Sequence, residues 1–236
     1  IGNFTERTLT GKLLLPPDVF RTEHLCQRVM ALNTAIDLAA WAAGGDRGGT
    51  LDEVRDRVAL CLDVSPDLRH VTLVAAAALA DGRVRVEPVD AWTSTDDARQ
   101  QLPTLLARIK PRVLGWFPGG PGAALAADLR QGDPKRDGKT VPTEIAGIKV
   151  AELHAADVPA VCQGFAEHVS ARRILHPEDP LLSTQVKGAS KLYVGDGWRF
   201  TRRDVGHVDA VYATAGAVHL ARTLAPESRP RIRVLA

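Results

Sequence analysis

The nearly unbroken apolar run RVALCLDVS (Arg57–Ser65), closed by a single aspartate, limits the possible folds more than any other stretch of the chain. A strand covered on one face alternates apolar and polar residues. A run without alternation needs cover on both faces, which makes it a central strand between helices. HVTLVAAAALADGRVRVEPVDAW (His70–Trp92) follows, with strand-like runs on either side of Asp81-Gly82, a strong hairpin signal. STDDARQQLPTLLARIK (Ser94–Lys110) predicts a helix. Ser94 or Thr95 serves as N-cap, Asp96 and Asp97 sit in the first turn, Arg108 and Lys110 in the last, and Pro111 stops it.

Beyond that helix, VLGWF reads as a fourth strand and GPGAALAADL as a helix, with a polar loop from Gly132 to Pro142. IKVAEL (Ile148–Leu153) reads as a fifth strand, and AADVPAVCQGFAEHVSARRI as a helix with Asp157 near its start. KLYVGDGWRFTRR (Lys191–Arg203) resembles a hairpin, and VDAVYATAGAVHLARTL (Val208–Leu224) is an Ala-rich amphipathic helix. Residues 1–50 look peripheral: FRTEHLCQRVMALN (Phe20–Asn33) has helical spacing, and AIDLAAWAAGGDRGG ends in glycines that stop regular structure. Three strands in hairpin succession, then helix–strand–helix–strand–helix, describe an α/β fold with helices on the faces of a mixed sheet.

The 236 residues can bury a sizeable core. A net charge of +2 gives no reason to expect nucleic-acid binding from bulk charge. The cations are skewed to arginine, 23 against 7 lysines, which suits phosphate contacts but follows equally from a GC-rich coding bias. Cys26, Cys61 and Cys162 lack CxxC spacing, which argues against a disulfide framework or zinc site and fits a reducing cytosol. No apolar run is long enough for a membrane span. The chain begins at Ile1 rather than Met, so a longer parent protein is expected.

Two glycine-containing turns invite a phosphate-loop reading. GDPKRDGKT (Gly132–Thr140) ends in Gly-Lys-Thr but has five residues between its glycines where four are required, and Pro142 opposes a helix start. GGPGAA after VLGWF has neither the lysine nor GxGxxG spacing, and reads as a tight strand-to-helix turn. Asp63 stands where central sheets present functional carboxylates, although with Ser65 and Asp67 it also suits a turn. Asp209, in the first turn of the last helix, is explained equally by the helix dipole. His70, His154, His168, His176, His207 and His219 show no ligand spacing and read as surface or packing residues.

AIDLAAWAAGGD, VALCLDVSPDLRHVTLVAAA and HPEDPLLSTQVKGASKLYVGDGWRFTRRDVGHVDAVYATAGAVHLA, in that order, closely resemble the C-terminal nuclease half of tailed-phage large terminase subunits. The similarity runs from about Thr22 to Leu224 and is to the branch common in actinobacterial phages and prophages. It implies an RNase H-like mixed five-stranded sheet, three strands antiparallel and the rest parallel, flanked by helices. Residues 1–50 would be a linker or remnant of a preceding ATPase region, and 51–236 the nuclease domain. The implied activity is metal-dependent endonucleolytic cutting of concatemeric DNA during genome packaging in the host cytoplasm. The implied partners are double-stranded DNA, the terminase small subunit, the portal or procapsid, and the ATPase domain of the same parent chain.

The implied chemistry is phosphodiester hydrolysis with two Mg²⁺ or Mn²⁺ ions roughly 3.5–4 Å apart, held by clustered carboxylates. By the resemblance, Asp63 supplies the first-strand acid and Asp209 the acid of the final helix. The family usually ends the fourth strand with an aspartate, whereas here that position falls at Trp116 or Phe117. Glu152, Asp204 and Asp67 are the candidates to complete the set. Arg202 and Arg203, beside the expected active face, are candidate phosphate contacts, or else charges that blunt a hairpin edge. The missing acid leaves open an alternative, a non-catalytic RNase H-like module that binds DNA or docks on the portal or procapsid. A resolvase-type enzyme is a third reading.

Overall fold

A computed structural model of the chain describes residues 34–131, 144–203 and 206–224. The Gly132–Thr140 loop, Asp204 and Cys26 lie outside the described residues.

The apolar run forms β1 (Ala59–Val64), buried along its whole length. The hairpin signal gives β2 (Val71–Ala78) and β3 (Val84–Trp92), joined across Gly82 at φ +84. Asp81 holds this turn by accepting from the Arg83 amide at 3.0 Å. Helix α2 (Thr95–Ile109) starts as expected, with the Ser94 hydroxyl accepting from the Asp97 amide at 3.1 Å. It is preceded in the chain by α1 (Leu38–Ala43), capped by Asp37. Strand β4 (Val113–Trp116) leads through the Gly/Pro turn into α3 (Ala123–Gln131).

The remaining elements are β5 (Glu144–Ile145), β6 (Ile148–Glu152), α4 (Val158–Ser170) and β7 (Ile174–Leu175). They are followed by α5 (Pro180–Gly188), the hairpin β8 (Lys191–Val194) and β9 (Gly197–Phe200), and α6 (Asp209–Thr223).

The main sheet runs β5-β6-β4-β1-β2-β3-β7. β1, β2 and β3 are antiparallel neighbours, while β4 pairs parallel with β1 and β6 parallel with β4. The five long strands are those expected. The sheet nevertheless has seven strands, because the two-residue β5 and β7 extend its edges. Segments that short carry no detectable periodicity in sequence.

Both faces of the sheet are covered, which is why β1 shows no alternation. Ala59, Cys61, Val74, Phe117 and Tyr212 belong to the core on the α4 and α6 side. Leu60, Leu62, Leu114, Trp116, Leu102 and Leu125 belong to the core under α2 and α3. Residues 34–50 join the first of these cores: Trp41, only 4% exposed, stacks on His176 with ring centroids 3.8 Å apart and meets Phe165 edge-on.

Small residues let α6 lie close to the sheet. A Cβ on Gly216 would collide with Cys61 Sγ, and one on Gly115 with Leu220. A side chain at either position would push its neighbour aside, and α6 lies buried across β1 to β4 with its N-terminus at the sheet's carboxyl end.

Candidate active site

β1 lies between its parallel neighbour β4 and its antiparallel neighbour β2, so the connections diverge at its carboxyl end, where open α/β sheets place ligands. Asp63 sits there, 2% exposed, with the same strand parity as Ala59 and Cys61 and therefore on the α6 face. Its cross-strand partner is Thr72. The Thr72 hydroxyl donates to Asp209 Oδ2, which links the acid of β1 to the acid that opens α6. Asp209 is 1% exposed, and its other oxygen accepts from Gln185 Nε2 at 3.1 Å. Gln185 in turn accepts from the Ala210 amide at 2.7 Å, so the α5 side chain clamps the first turn of α6. These contacts bring Asp63 and Asp209 together at one buried position.

Arg202 closes the site. Its Nη2 donates to Asp63 Oδ1 at 2.8 Å, and its guanidinium lies 3.9 Å from the centre of the Tyr212 ring. Nη1 is 2.8 Å from Asp63 Oδ2 but donates to the Val64 carbonyl at 3.2 Å. Among the described residues, Oδ2 is thus held by the Arg202 ion pair with no further hydrogen bond. Burial pushes the Asp63 carboxyl up to about 6. Arg202 pulls against this shift, and the charge of Asp209 adds to it. Burial likewise holds the Cys61 and Cys162 thiols protonated, Cys162 pushed up to about 12.

The two neighbouring arginines separate: the Arg202 side chain is 13% exposed and turned onto Asp63, whereas Arg203 is exposed. A pocket of about 330 Å³ adjoins Arg202, with Phe117, Leu153, Arg199 and Tyr212 in its wall.

The pleat of the sheet assigns the fourth-strand position. Trp116 pairs with Leu62 and belongs to the α2–α3 core, so its ring points away from Asp63. Phe117 belongs to the α6 core, with its ring 5.4 Å from that of Tyr212, and occupies the Asp63 face. Glu152 does not reach that face. It pairs in register with Trp116 and accepts from Trp116 Nε1 at 3.2 Å, on the far side of the sheet.

Asp67 is exposed in the β1–β2 turn, where Oδ1 accepts from the Ser65 hydroxyl and from the Arg69 amide at 3.1 Å. The Ser65 hydroxyl, then the Arg69 amide, hold its carboxyl below the usual range, with His207 and His70 contributing.

These donors fit a hard divalent cation held between Asp63 and Asp209. Asp63 Oδ2, held among the described residues by its ion pair with Arg202, is the atom such an ion would take, in competition with Arg202. A second ion finds no carboxylate from β4 among the described residues, because Phe117 stands there. Two residues of the site carry little signal in the sequence. Gln185 lies on a helix not expected from periodicity, although Asp179-Pro180 is a recognisable helix start, with Asp179 accepting from the Leu182 amide at 2.8 Å. The inward turn of Arg202 has no local signature.

Sheet order and covering helix define an RNase H-like fold. Solved structures with a similar fold include phage terminases. The HK97 bacteriophage large terminase superposes with a TM-score of 0.58 at 14% identity, over 91% of this chain and 50% of that one. The chain therefore spans half the length of that protein. The large terminase nuclease from thermophilic phage G20c with bound magnesium gives 0.54 at 13% identity, over 80% of this chain and 98% of that one. A point variant of gp2c of the large terminase subunit from bacteriophage Sf6, with calcium, gives 0.52 at 7% identity, over 77% and 97%. No family model matches the chain, and no curated protein matches it in sequence. Among the described residues, no helix is long and apolar enough to cross a membrane.

Proposed function

We propose that the chain is the metal-dependent DNA endonuclease domain of a phage DNA-packaging motor, cutting concatemeric DNA in the host cytoplasm. The observation that carries this reading is the buried Asp63–Asp209 pair at the carboxyl end of β1, tied together through Thr72 and countered by the single guanidinium of Arg202. The fold shared with terminase nucleases supports it, and so does the magnesium in the G20c structure.

Asp63 and Asp209 would hold Mg²⁺ or Mn²⁺. A divalent ion bound there supplies a water of lowered pKa and neutralises charge on the phosphate. The protein's own contribution is positional. Thr72 and Gln185 orient Asp209, Tyr212 and the Val64 carbonyl position Arg202, and Arg202 neutralises Asp63 while no other cation does. Arg203, exposed beside this end of the sheet, would contact DNA phosphates without reading sequence. Residues 34–50 count with the nuclease body because Trp41 is part of its core, and an ATPase domain of the same parent chain would precede them. The terminase small subunit and the portal or procapsid are the corresponding partners.

Phe117 and the Arg202–Asp63 pair favour a second reading, a DNA-binding or portal- or procapsid-docking module whose metal site has degenerated. Plasmid nicking by the full chain in Mn²⁺ and in Mg²⁺ separates the two. Cutting that disappears in both Asp63→Asn and Asp209→Asn supports the enzyme. Metal-independent DNA binding with no cutting in millimolar Mn²⁺, even when joined to an ATPase half, supports the module.

A further inference from the structure

Asp67 and His70 leave the β1–β2 turn, and His207 lies in the segment that enters α6; the fold brings all three to one place at the surface. One ligand atom from each lies within 4.8 Å of the others, and the His70 and His207 ring centroids are 3.8 Å apart with the planes inclined by 45°. Neither Asp63 nor Asp209 belongs to this group.

The chemistry of the donors differs from that of the buried acid pair. Two imidazoles and one carboxylate are the ligands of borderline divalent cations, which bind nitrogen at about 2.0–2.1 Å and oxygen at about 2.0–2.2 Å. Mg²⁺ prefers an all-oxygen shell and keeps its waters. The carboxylate is also held in place, because Oδ1 is engaged by the Ser65 hydroxyl and the Arg69 amide while Oδ2 accepts no hydrogen bond from the described residues. The Ser65 hydroxyl itself accepts from the His70 amide at 3.0 Å, which ties two of the ligands into one turn. Exposure of the cluster leaves room for water to complete the shell of an ion.

We propose that Asp67, His70 and His207 bind a zinc-like divalent cation, separate from the acid pair, that clips the β1–β2 turn to the segment entering α6. The clip has a structural consequence for the neighbouring site. Asp63 lies just before this turn and Asp209 just after His207, so a shared ion fixes the two segments that present the acids. Asp67 is then a ligand of this second site and not the missing third acid of the first.

The test uses the full chain, stripped of metal and titrated with Co²⁺ as a visible-absorbing probe and with Zn²⁺ by equilibrium dialysis. In millimolar Mg²⁺, which occupies the acid pair, the expected result is one Co²⁺ giving a d–d band that Zn²⁺ abolishes. His70→Gln and His207→Gln, both at the surface, should keep the metal-free melting temperature and weaken Zn²⁺ binding by about tenfold or more. The Asp63→Asn/Asp209→Asn double variant should retain the band; if that variant does not fold, the Mg²⁺ competition takes its place. The proposal is overturned if the wild type binds neither Co²⁺ nor Zn²⁺ at millimolar concentration. A d–d band that survives both histidine substitutions in millimolar Mg²⁺ overturns it too, as does the absence of any band once Mg²⁺ is present. These readouts are metal binding and not cleavage, so loss of the clip and loss of nuclease function are told apart.

Discussion

Replacing Arg202 by methionine tests how the buried acid is tolerated. The substitution keeps a long apolar stem against Tyr212 and removes the guanidinium from Asp63. What remains is a carboxylate 2% exposed, with no donor on Oδ2 and the charge of Asp209 nearby. Removing one partner of a buried ion pair costs about 3–5 kcal/mol while the other stays charged. For a chain of this length that corresponds to roughly 6–20 °C in melting temperature.

The penalty depends on pH with a definite sign. In the wild type the Asp63 carboxyl is raised to about 6, so its contribution is most favourable below the unfolded value near 4 and is lost as pH rises through 6. Without Arg202 the folded value rises further, because its charge and its hydrogen bond, two of the influences that lower it, are gone. The stability gap between variant and wild type should therefore be small at pH 5. It should open above pH 6, by at most about 1.4 kcal/mol per pH unit. Urea unfolding of the full chain at pH 5, 6, 7 and 8 measures it directly. At pH 8, Mn²⁺ should narrow the gap, because it occupies the charge position that the guanidinium vacates. A gap equal at pH 5 and pH 8 and indifferent to Mn²⁺ would refute this reasoning and reduce Arg202 to a packing residue on Tyr212.

Gln185→Leu removes the clamp between Asp209 and the Ala210 amide, and should cost about 1–3 kcal/mol in urea unfolding. It should also lower Mn²⁺ affinity, measured by titration calorimetry. Gly216→Ala drives a methyl into Cys61 and should destabilise by about 1–3 kcal/mol. Adding Cys61→Ala should recover part of that loss if close approach of α6 to β1 is the cause, and no recovery would count against it. Burial holds His168, His176 and His219 below the usual histidine value, so the unfolded chain takes up their protons first. The histidine contribution to stability should therefore fall as pH drops below about 6.5, opposite in sign to that of Asp63, and replacing His176 by Gln should reduce it.

The central strand, the hairpin across Gly82 and the last helix were legible because each rests on local chemistry: two-sided burial, a turn that needs positive φ, and an acid in a first helical turn. The choice between Trp116 and Phe117 was not. It depends on which face of the pleat looks at α6, and that requires the register with β1. Glu152 shares its parity with Ile148 and Val150, and only the β4–β6 pairing shows that this parity faces α2 and α3 rather than Asp63. In sequence Arg202 is a candidate phosphate contact or a charge on a hairpin edge; in the fold its guanidinium pairs with Asp63, on a strand far from it in the chain. His70 and His207 looked unrelated for the same reason: no spacing rule links a hairpin turn to the entry of a distant helix.

The most direct test of the metal-dependent site is anomalous diffraction from crystals of the full chain soaked in Mn²⁺. A manganese peak is expected there, bonded by the carboxylates of Asp63 and Asp209, with the Arg202 guanidinium moved off Asp63. No peak at that pair in millimolar Mn²⁺, with Arg202 still seated on Asp63, would contradict it.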